Sequence, residues 1–329
     1  MAEQSNNVLV VVEHDRGTLA PASLEALTAA RGLAAQFAVD VEALTIGDAA
    51  DGAVDELAAC GASVVHQVHD DVLSDYGPEA WGEVVAQATR ALSPSVVLAT
   101  GTDRGNEVLA QAAARLDLPF CANVAEFRPG DSFEVIRVRW GGSLLEEASV
   151  AGSVKLVTIA HHAVEPTPAD VPAAVSTRPL PVALAPSLTR TVITDRVERE
   201  AGVTLATAPV VVGGGRGVGS PEAFAPLQEL ASELGGVVGC SRAVTNNGWR
   251  NHTDQVGQTG TRIAPDVYFA CGISGAIQHW VGAMASKNII AINTDPQANM
   301  VTKAGYAVIA DLHEMVPAIT EEIRRRRSS

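Results

Sequence analysis

The sequence has few aromatic residues, 4% of 329, and only four cysteines. No two cysteines stand at C-x-x-C spacing, so the usual signatures of a zinc site and of a redox dithiol are missing. No apolar run approaches the roughly 20 residues that cross a bilayer, and the first residues lack a charged segment followed by a long apolar core. We therefore expect a cytoplasmic protein with reduced thiols that does not insert into a membrane.

Basic residues are also scarce, with 23 Lys and Arg against 38 Asp and Glu. The resulting charge of −15 falls entirely within residues 1–195, because residues 196–329 hold 12 residues of each sign. Nucleic-acid binding needs clustered cations, so the excess of acidic residues argues against it. The neutral C-terminal part is the better host for an anionic cofactor. The one basic cluster, 324–327, is expected to be a solvated tail.

With so few aromatic residues, the core must consist mainly of Ala, Val, Leu and Ile, within a hydrophobic fraction of 47%. This composition is typical of layered α/β domains, and the length suggests about two of them. Apolar strand patterns alternate with helix patterns, as where residues 8–13 precede residues 21–37, and a second such series begins near residue 208. The alternation predicts parallel strands joined by right-handed crossovers.

A proline-rich segment at 165–190 cannot sustain a helix and predicts an extended connection. We therefore predict two doubly wound α/β domains with mostly parallel sheets, at 1–190 and 205–329, with residues 165–204 as the linker. Short alternating or apolar runs within residues 133–159 predict an antiparallel or edge portion of the first sheet.

Several runs with glycine and hydroxyl residues lie close together in the second half of the chain. They are S-R at 241–242, Q-V-G-Q-T-G at 255–260, G-I-S-G-A-I-Q-H-W at 272–280 and A-I-N-T-D-P at 291–296. Glycines let the backbone approach a phosphate, and N–H groups at a helix start receive its charge. Since a hydroxyl, an Arg and a His can hydrogen-bond a polar ring, this combination points to a dinucleotide cofactor. We expect it beyond the carboxyl ends of the strands.

These runs, together with V-V-V-G-G-G-R-G at 210–217 and A-D-L at 310–312, stand in the order found in the electron-transfer flavoprotein alpha subunit, which the chain resembles. The resemblance is weaker over residues 8–160. It implies a nucleotide-hydrolase-like N-terminal domain that contacts a beta subunit. It also implies a Rossmann-like C-terminal domain that binds FAD and rotates as a body.

The resemblance implies a role for particular residues. Arg242 lies over the flavin ring and favours the anionic semiquinone, since a guanidinium stays charged at ordinary pH. Thr259 hydrogen-bonds flavin N5, and His279 lies near flavin O2, where it stabilises charge on the reduced ring. Arg216 lies near the diphosphate, and Gln258 near the ribityl hydroxyls. The full set of implied cofactor contacts is Arg216, Ser241, Arg242, Gln255, Val256, Gly257, Gln258, Thr259, Gly272, Ser274, Gly275, Ala276, Ile277, Gln278, His279, Asn293, Asp311 and Leu312.

The implied function is an electron carrier rather than a substrate-converting enzyme. It accepts electrons from flavin dehydrogenases, such as the acyl-CoA dehydrogenases of fatty acid β-oxidation, and passes them to a quinone oxidoreductase. Whether the beta subunit holds AMP or a second FAD stays open, and the second case defines the runner-up, an electron-bifurcating, NADH-linked flavoprotein. A nucleotide-hydrolysing enzyme and a purely structural subunit are the rivals from other classes.

Two pairs of histidines resemble metal-ligand spacing, His161 with His162 and His66 with His69. Both pairs lack a supporting carboxylate or cysteine set at metal-ligand spacing, so we predict no metal site from the sequence alone.

Overall fold

The computed structural model describes residues 7–130, 132–195 and 203–328. They divide into two compact units. The first holds the described residues up to 195 apart from 140–143, and the second holds 140–143 and the described residues from 203 onward. No helix within these described ranges is long and apolar enough to cross a membrane.

The first unit is built on a nine-stranded sheet with a separate two-stranded ribbon. Its strands are β1 (Val8–Val11), β2 (His14–Asp15), β3 (Thr18–Leu19), β4 (Val41–Ile46), β5 (Val64–Val68), β6 (Val96–Thr100), β7 (Phe120–Pro129), β8 (Phe133–Arg139), β9 (Leu144–Ser149), β10 (Lys155–Ile159) and β11 (Ser176–Pro179). Its helices are α1 (Pro21–Phe37), α2 (Val54–Ala59), α3 (Pro78–Leu92) and α4 (Asp103–Leu116). The sheet order is β11-β5-β4-β1-β6-β10-β7-β8-β9.

Both faces of this sheet are covered, which explains its continuous apolar strands. Along β1, Val8 and Val10 belong to a core formed with α1 and α2, whereas Leu9 and Val11 belong to a core formed with α3 and α4. Strands β11 to β7 are parallel in this order, and only β8 and β9 pair antiparallel.

The expected antiparallel portion is therefore present as β8 and β9. The prediction was wrong for the last of its apolar runs. The run within β10 lies between β6 and β7 as an interior parallel strand, because its side chains are buried on both faces. Strand β7 escaped prediction because its pattern is interrupted at Asn123, which has a positive φ of 59° and lies where the pairing register shifts. The proline-rich segment contributes β11 at the sheet edge, where a residue without an N–H is tolerated.

The second unit is a five-stranded, fully parallel sheet. Its elements are β12 (Val210–Gly214), α5 (Ala225–Glu233), β13 (Val237–Cys240), α6 (Arg242–Asn246), β14 (Val267–Cys271), α7 (Ile277–Ala283), β15 (Asn288–Asn293), α8 (Asn299–Lys303), β16 (Tyr306–Ile309) and α9 (Leu312–Arg327). The strand order is β13-β12-β14-β15-β16, with all neighbours parallel. The predicted fold class, α/β with two doubly wound and mostly parallel sheets, is confirmed.

This order fixes where a ligand can bind in the second unit. From β12 the chain moves to β13 on one side and then returns to β14 on the other. The loops after β12 and β14 therefore leave the sheet in opposite directions and open a crevice at the carboxyl ends of these strands.

Candidate functional site

A cavity of about 380 Å³ lies in the second unit at this crevice. Its lining comes from the residues that follow β12, β13, β14 and β15. They are Arg216, Gly217, Ser241, Arg242, Ala243, Gly272, Ile273, Ser274, Gly275, Ala276, Gln278, His279, Asn293, Asp295 and Ala298. The cavity is larger than the one of about 270 Å³ in the first unit.

Glycines hold the loops after β12 and β14 in direct contact. The Gly215 N–H donates to the Cys271 carbonyl at 2.8 Å, and the Gly217 N–H donates to the Gly272 carbonyl at 3.1 Å. A Cβ on Gly215 would meet the Gly272 carbonyl oxygen at 2.2 Å, and Gly272 itself has a φ of +62°. A side chain does not fit between these loops, so backbone forms this wall of the cavity.

The loop after β14 then turns sharply before α7. Gly275 has a φ of +77°, and a Cβ there would lie 2.3 Å from the backbone nitrogen of Met300. Helix α7 begins at Ile277, because Ala276 has a ψ of 147° and lies outside the helical region. The first N–H groups of a helix have no acceptor within it. Because Ala276 and Gln278 line the cavity, these donors lie at its edge.

Two guanidinium groups give the cavity positive charge. Arg216 and Arg242 are exposed, and neither forms a hydrogen bond or ion pair with any of the residues that the structure describes. Asp295 is the one carboxylate among the lining residues. Two unpaired guanidiniums facing one space are suited to an anionic ligand such as a phosphate, which Arg binds with several donors at once.

His279 presents an imidazole nitrogen with no partner. It is 6% exposed, and its Nε2 lies 2.8 Å from the hydroxyl of Tyr268, which is fully buried. Burial lowers the pKa of His279 to about 4, and a hydrogen bond with the Val256 backbone partly opposes this shift. The ring is therefore neutral at pH 7. Burial also raises the pKa of Tyr268 well above its ordinary value, which keeps its O–H protonated.

These two residues together fix the direction of a hydrogen bond. If the Tyr268 O–H donates to Nε2, the neutral ring of His279 carries its proton on Nδ1. That atom is buried and has no hydrogen-bond partner among the described residues. Because Nδ1 has almost no exposed surface and the Val256 backbone also acts on this ring, a contact between Nδ1 and a ligand stays a prediction.

A second chain of hydrogen bonds orients Thr259. The buried amide of Gln255 accepts a hydrogen bond from the Thr245 hydroxyl at 2.7 Å, and its Nε2 donates to the Thr259 hydroxyl oxygen at 2.9 Å. Because Thr259 accepts in this pair, its own O–H remains available as a donor. Thr259 is exposed and lies just outside the cavity lining.

The rest of the Q-V-G-Q-T-G run is a support that packs beside the cavity. The Val256 N–H donates to the Cys240 carbonyl at 2.8 Å, and the Gln258 N–H donates to the Gln278 carbonyl at 2.7 Å. Gly257 packs so tightly against α7 that a Cβ on Gly282 would lie 2.3 Å from it. The run thereby holds the strand end and the helix together.

The structure brings together only part of the predicted set. Arg216, Ser241, Arg242, Gly272, Ser274, Gly275, Ala276, Gln278, His279 and Asn293 line the cavity, whereas Gln255, Val256, Gly257, Gln258, Thr259, Ile277, Asp311 and Leu312 do not. Asp311 caps α9 by accepting from the His313 N–H at 2.9 Å, and Leu312 is buried against Gly272. Their roles toward a cofactor stay predictions.

Some residues of the site were missed in the sequence. Gly217, Ile273 and Asp295 line the cavity and lie within the quoted motifs without having been singled out, whereas Ala243 and Ala298 line it outside any motif. Tyr268 carried a usable signal, because a tyrosine in a strand buried on both faces needs a partner for its hydroxyl. Asn293 holds two loops in place, since its amide donates to the Ile273 carbonyl and accepts from the Asp295 N–H, both at 3.1 Å.

The smaller cavity, in the first unit, has a different charge. Its lining holds five aspartates and two arginines, together with His14, Tyr76 and Trp81. A phosphate in that cavity would face an excess of carboxylates, which disfavours an anion. This observation weighs against the rival expectation of a nucleotide-hydrolysing site in the first unit.

Comparison with known proteins gives a consistent family. Residues 204–284 match the Electron transfer flavoprotein FAD-binding domain, and residues 8–186 match the Electron transfer flavoprotein domain. The chain is 36% identical over 323 residues to the Electron transfer flavoprotein subunit alpha of Mycobacterium leprae, with 97% of this chain and 98% of that protein covered. It is 34% identical over 320 residues to the protein of the same name from Bacillus subtilis, with 97% of each covered. It is also 34% identical over 329 residues to Protein FixB of Bradyrhizobium diazoefficiens, with 97% and 89% covered.

Fold and site thus define a flavoprotein with an FAD-binding domain of the doubly wound type. More specifically, the chain belongs to the electron transfer flavoprotein alpha-subunit family. The residues in the second unit fit FAD by their chemistry. The unpaired Arg216 and Arg242 suit its diphosphate and the negative charge of its reduced ring, and the glycine-walled side of the cavity suits a close approach of the diphosphate.

Proposed function

We propose that this chain is the FAD-carrying alpha subunit of a heterodimeric electron-transfer flavoprotein. It pairs with a beta subunit, takes electrons from flavin dehydrogenases such as acyl-CoA dehydrogenases, and delivers them to an electron-transfer flavoprotein-quinone oxidoreductase. The flavin supplies the redox chemistry when bound, and the protein supplies binding, orientation and electrostatics.

The observation that carries this proposal is the set of unused polar groups at the strand ends of the second unit. Arg216 and Arg242 place positive charge beside the cavity without a neutralising partner among the described residues. His279 lines the same space with a neutral ring, and Tyr268 occupies its Nε2. We assign Arg216 to the diphosphate and Arg242 to the ring.

Thr259 completes this assignment from the adjoining loop. Gln255 holds the threonine hydroxyl by donating to its oxygen, which leaves the O–H available as a donor. We assign this O–H to a ring nitrogen of the flavin. The glycine-walled side of the cavity, formed by Gly215, Gly217 and Gly272, admits the diphosphate close to the backbone.

The cavity's histidine is poorly suited to act as the base of a hydrolase. A hydrolase requires a base that can take a proton near pH 7, but the pKa of His279 is lowered to about 4 by burial, and its Nε2 is occupied. No hydrogen bond joins a serine hydroxyl to this imidazole among the described residues. The site therefore favours an electron carrier over an enzyme.

The test is to co-express the chain with its beta subunit and to measure bound flavin after gel filtration. We expect one FAD in the second unit that is reduced by an acyl-CoA dehydrogenase with its substrate and reoxidised by a quinone oxidoreductase. A complex without flavin that also fails to take up added FAD would contradict the proposal. Direct reduction by NADH would instead identify the bifurcating alternative.

A variant series locates the flavin in the described cavity. Arg216→Ala should weaken FAD retention, while Lys287→Ala serves as the control because Lys287 pairs with Asp266 at the opposite end of the sheet. If both variants retain FAD equally, Arg216 has no role in binding.

A further inference from the structure

We propose a divalent transition-metal site in the first unit, formed by Glu25, His161 and His162. These residues offer one ligand atom each, and the three atoms all lie within 4.8 Å of one another. The sequence alone shows a histidine pair without a carboxylate. The fold supplies that carboxylate from α1, 137 positions before His162.

Glu25 is an unusual residue for its position on α1. It is only 5% exposed, and a carboxylate is seldom buried unless it is paired or binds a metal ion. Its Oε2 accepts a hydrogen bond from the His162 N–H at 2.8 Å, and its Oε1 lies 3.4 Å from the His162 Nδ1. The carboxylate is therefore held in place with one oxygen directed at the imidazoles.

The two histidines follow β10, at the carboxyl end of this interior strand. His162 has a φ of 60°, a left-handed conformation that few residues other than glycine adopt. Adjacent side chains normally diverge, but here the two ring centroids lie 3.7 Å apart. Strained residues of this kind persist where the surrounding structure holds them, and they concentrate at functional sites.

The spacing suits a small ion with short bonds. Bonds of about 2.1 Å to a tetrahedral Zn²⁺ place neighbouring ligand atoms about 3.4 Å apart. Glu25 Oε1 and His162 Nδ1 already have this separation of 3.4 Å. The ring of His161 is half-buried, and it has to rotate to bring its nitrogen equally close to the other two ligand atoms.

The ligand types define the class of ion. Two imidazoles and one carboxylate suit Zn²⁺ and similar first-row ions better than Mg²⁺ or Ca²⁺, which prefer oxygen ligands throughout. Three protein ligands leave a further position for water. The ion ties α1 to the turn after β10.

The competing account is a simple ion pair between Glu25 and His162. The two accounts differ at His161, because an ion pair does not need that residue and a metal site does. They also differ in stoichiometry, since only the metal site takes up one ion per chain.

The experiment uses the full chain without a polyhistidine tag, treated with a chelator and then titrated with Zn²⁺ by calorimetry. We expect one Zn²⁺ per chain, at least a tenfold loss of affinity in both Glu25→Gln and His161→Asn, and no loss in His252→Asn. His252 is an exposed histidine of the second unit and serves as the matched control.

His161→Asn keeps the test decisive if Glu25→Gln does not fold, because His161 is only half-buried. A melting temperature that rises with Zn²⁺ in the wild type but not in His161→Asn supports the site. Absence of stoichiometric binding, or equal binding by wild type and His161→Asn, overturns it. Neither outcome depends on flavin, so the proposed function is tested separately.

Discussion

The hydrogen bond between Tyr268 and His279 can be tested by removing the tyrosine hydroxyl. Replacing Tyr268 with Phe removes one oxygen from a fully buried side chain and leaves the ring in place. Nε2 of His279, 2.8 Å from that oxygen, then loses its partner. Nδ1 is buried and has no close partner among the described residues, so both nitrogens of this 6% exposed imidazole then lack a close hydrogen-bond partner.

The expected loss follows from this count of partners. An unsatisfied buried polar atom costs about 1–3 kcal/mol, so Tyr268→Phe should lower the free energy of unfolding by that amount. Tyr306→Phe is the control, because Tyr306 is 63% exposed. Urea denaturation of both variants measures the difference. Equal stability of wild type and Tyr268→Phe would refute the assigned hydrogen bond.

The same variant reports on the tautomer of the imidazole. The arrangement that we assign to the wild type has the Tyr268 O–H donating to Nε2 and the proton of the imidazole on Nδ1. Without the hydroxyl, the preference for this tautomer should weaken, and FAD affinity should fall even in molecules that remain folded. Nitrogen-15 spectra of the histidine rings distinguish the two tautomers. An unchanged Nδ1–H signal in Tyr268→Phe would show that another group sets it.

Further predictions concern pH, charge and backbone shape. The pKa of His279 is lowered to about 4 by burial. The free energy of unfolding should therefore fall by about 1.4 kcal/mol per pH unit as the pH drops from about 6.5 toward 4. In urea denaturation at several pH values, His279→Asn should show a weaker dependence on pH over this range. Arg242→Ala removes a positive charge whose attraction to the reduced flavin ring is about 1 kcal/mol. The two-electron flavin potential should therefore become about 20 mV more negative in a redox titration. An unchanged potential contradicts the placement of Arg242 at the ring. The hydrogen bond from His66 lowers the pKa of Glu42, so Glu42→Gln should cost about 1.5–3 kcal/mol above pH 5, and the difference should shrink as the carboxyl protonates in acid. Gly275→Ala should cost about 1–3 kcal/mol in thermal unfolding, because a Cβ at its φ of +77° meets the α8 backbone.

Strands β12 and β14 of the second unit could be predicted well because each is a short apolar run with four of its five residues buried. The run at 267–271 coincides with β14, and the run at 237–240 coincides with β13. Strand β7 could not be predicted in this way, since the left-handed Asn123 interrupts its pattern. Long-range contacts such as Glu25 with His162 depend on which elements become neighbours, and local patterns do not contain that information.

In the candidate site, too, the sequence indicates the residue types, but only the structure shows which contacts each residue makes. Asn293 and Arg242 both stand in motifs that suggest cofactor contact, yet the fold uses them differently. The amide of Asn293 is occupied on both sides by the Ile273 carbonyl and the Asp295 N–H, so its main effect is to hold the loops that shape the cavity. Arg242 makes no such contact with the described residues, and its charge remains available to a ligand.

Unused hydrogen-bonding capacity is therefore the better physical criterion for a cofactor contact than membership of a motif. A folded protein leaves few buried polar atoms without a partner, because each one costs free energy unless something binds it. Applied to the residues that line the cavity, this criterion makes His279 a candidate ligand contact, whereas the side chain of Asp311 is a helix cap. The sequence places both residues in family motifs, and only the three-dimensional pairing of donors and acceptors separates the contact from the support.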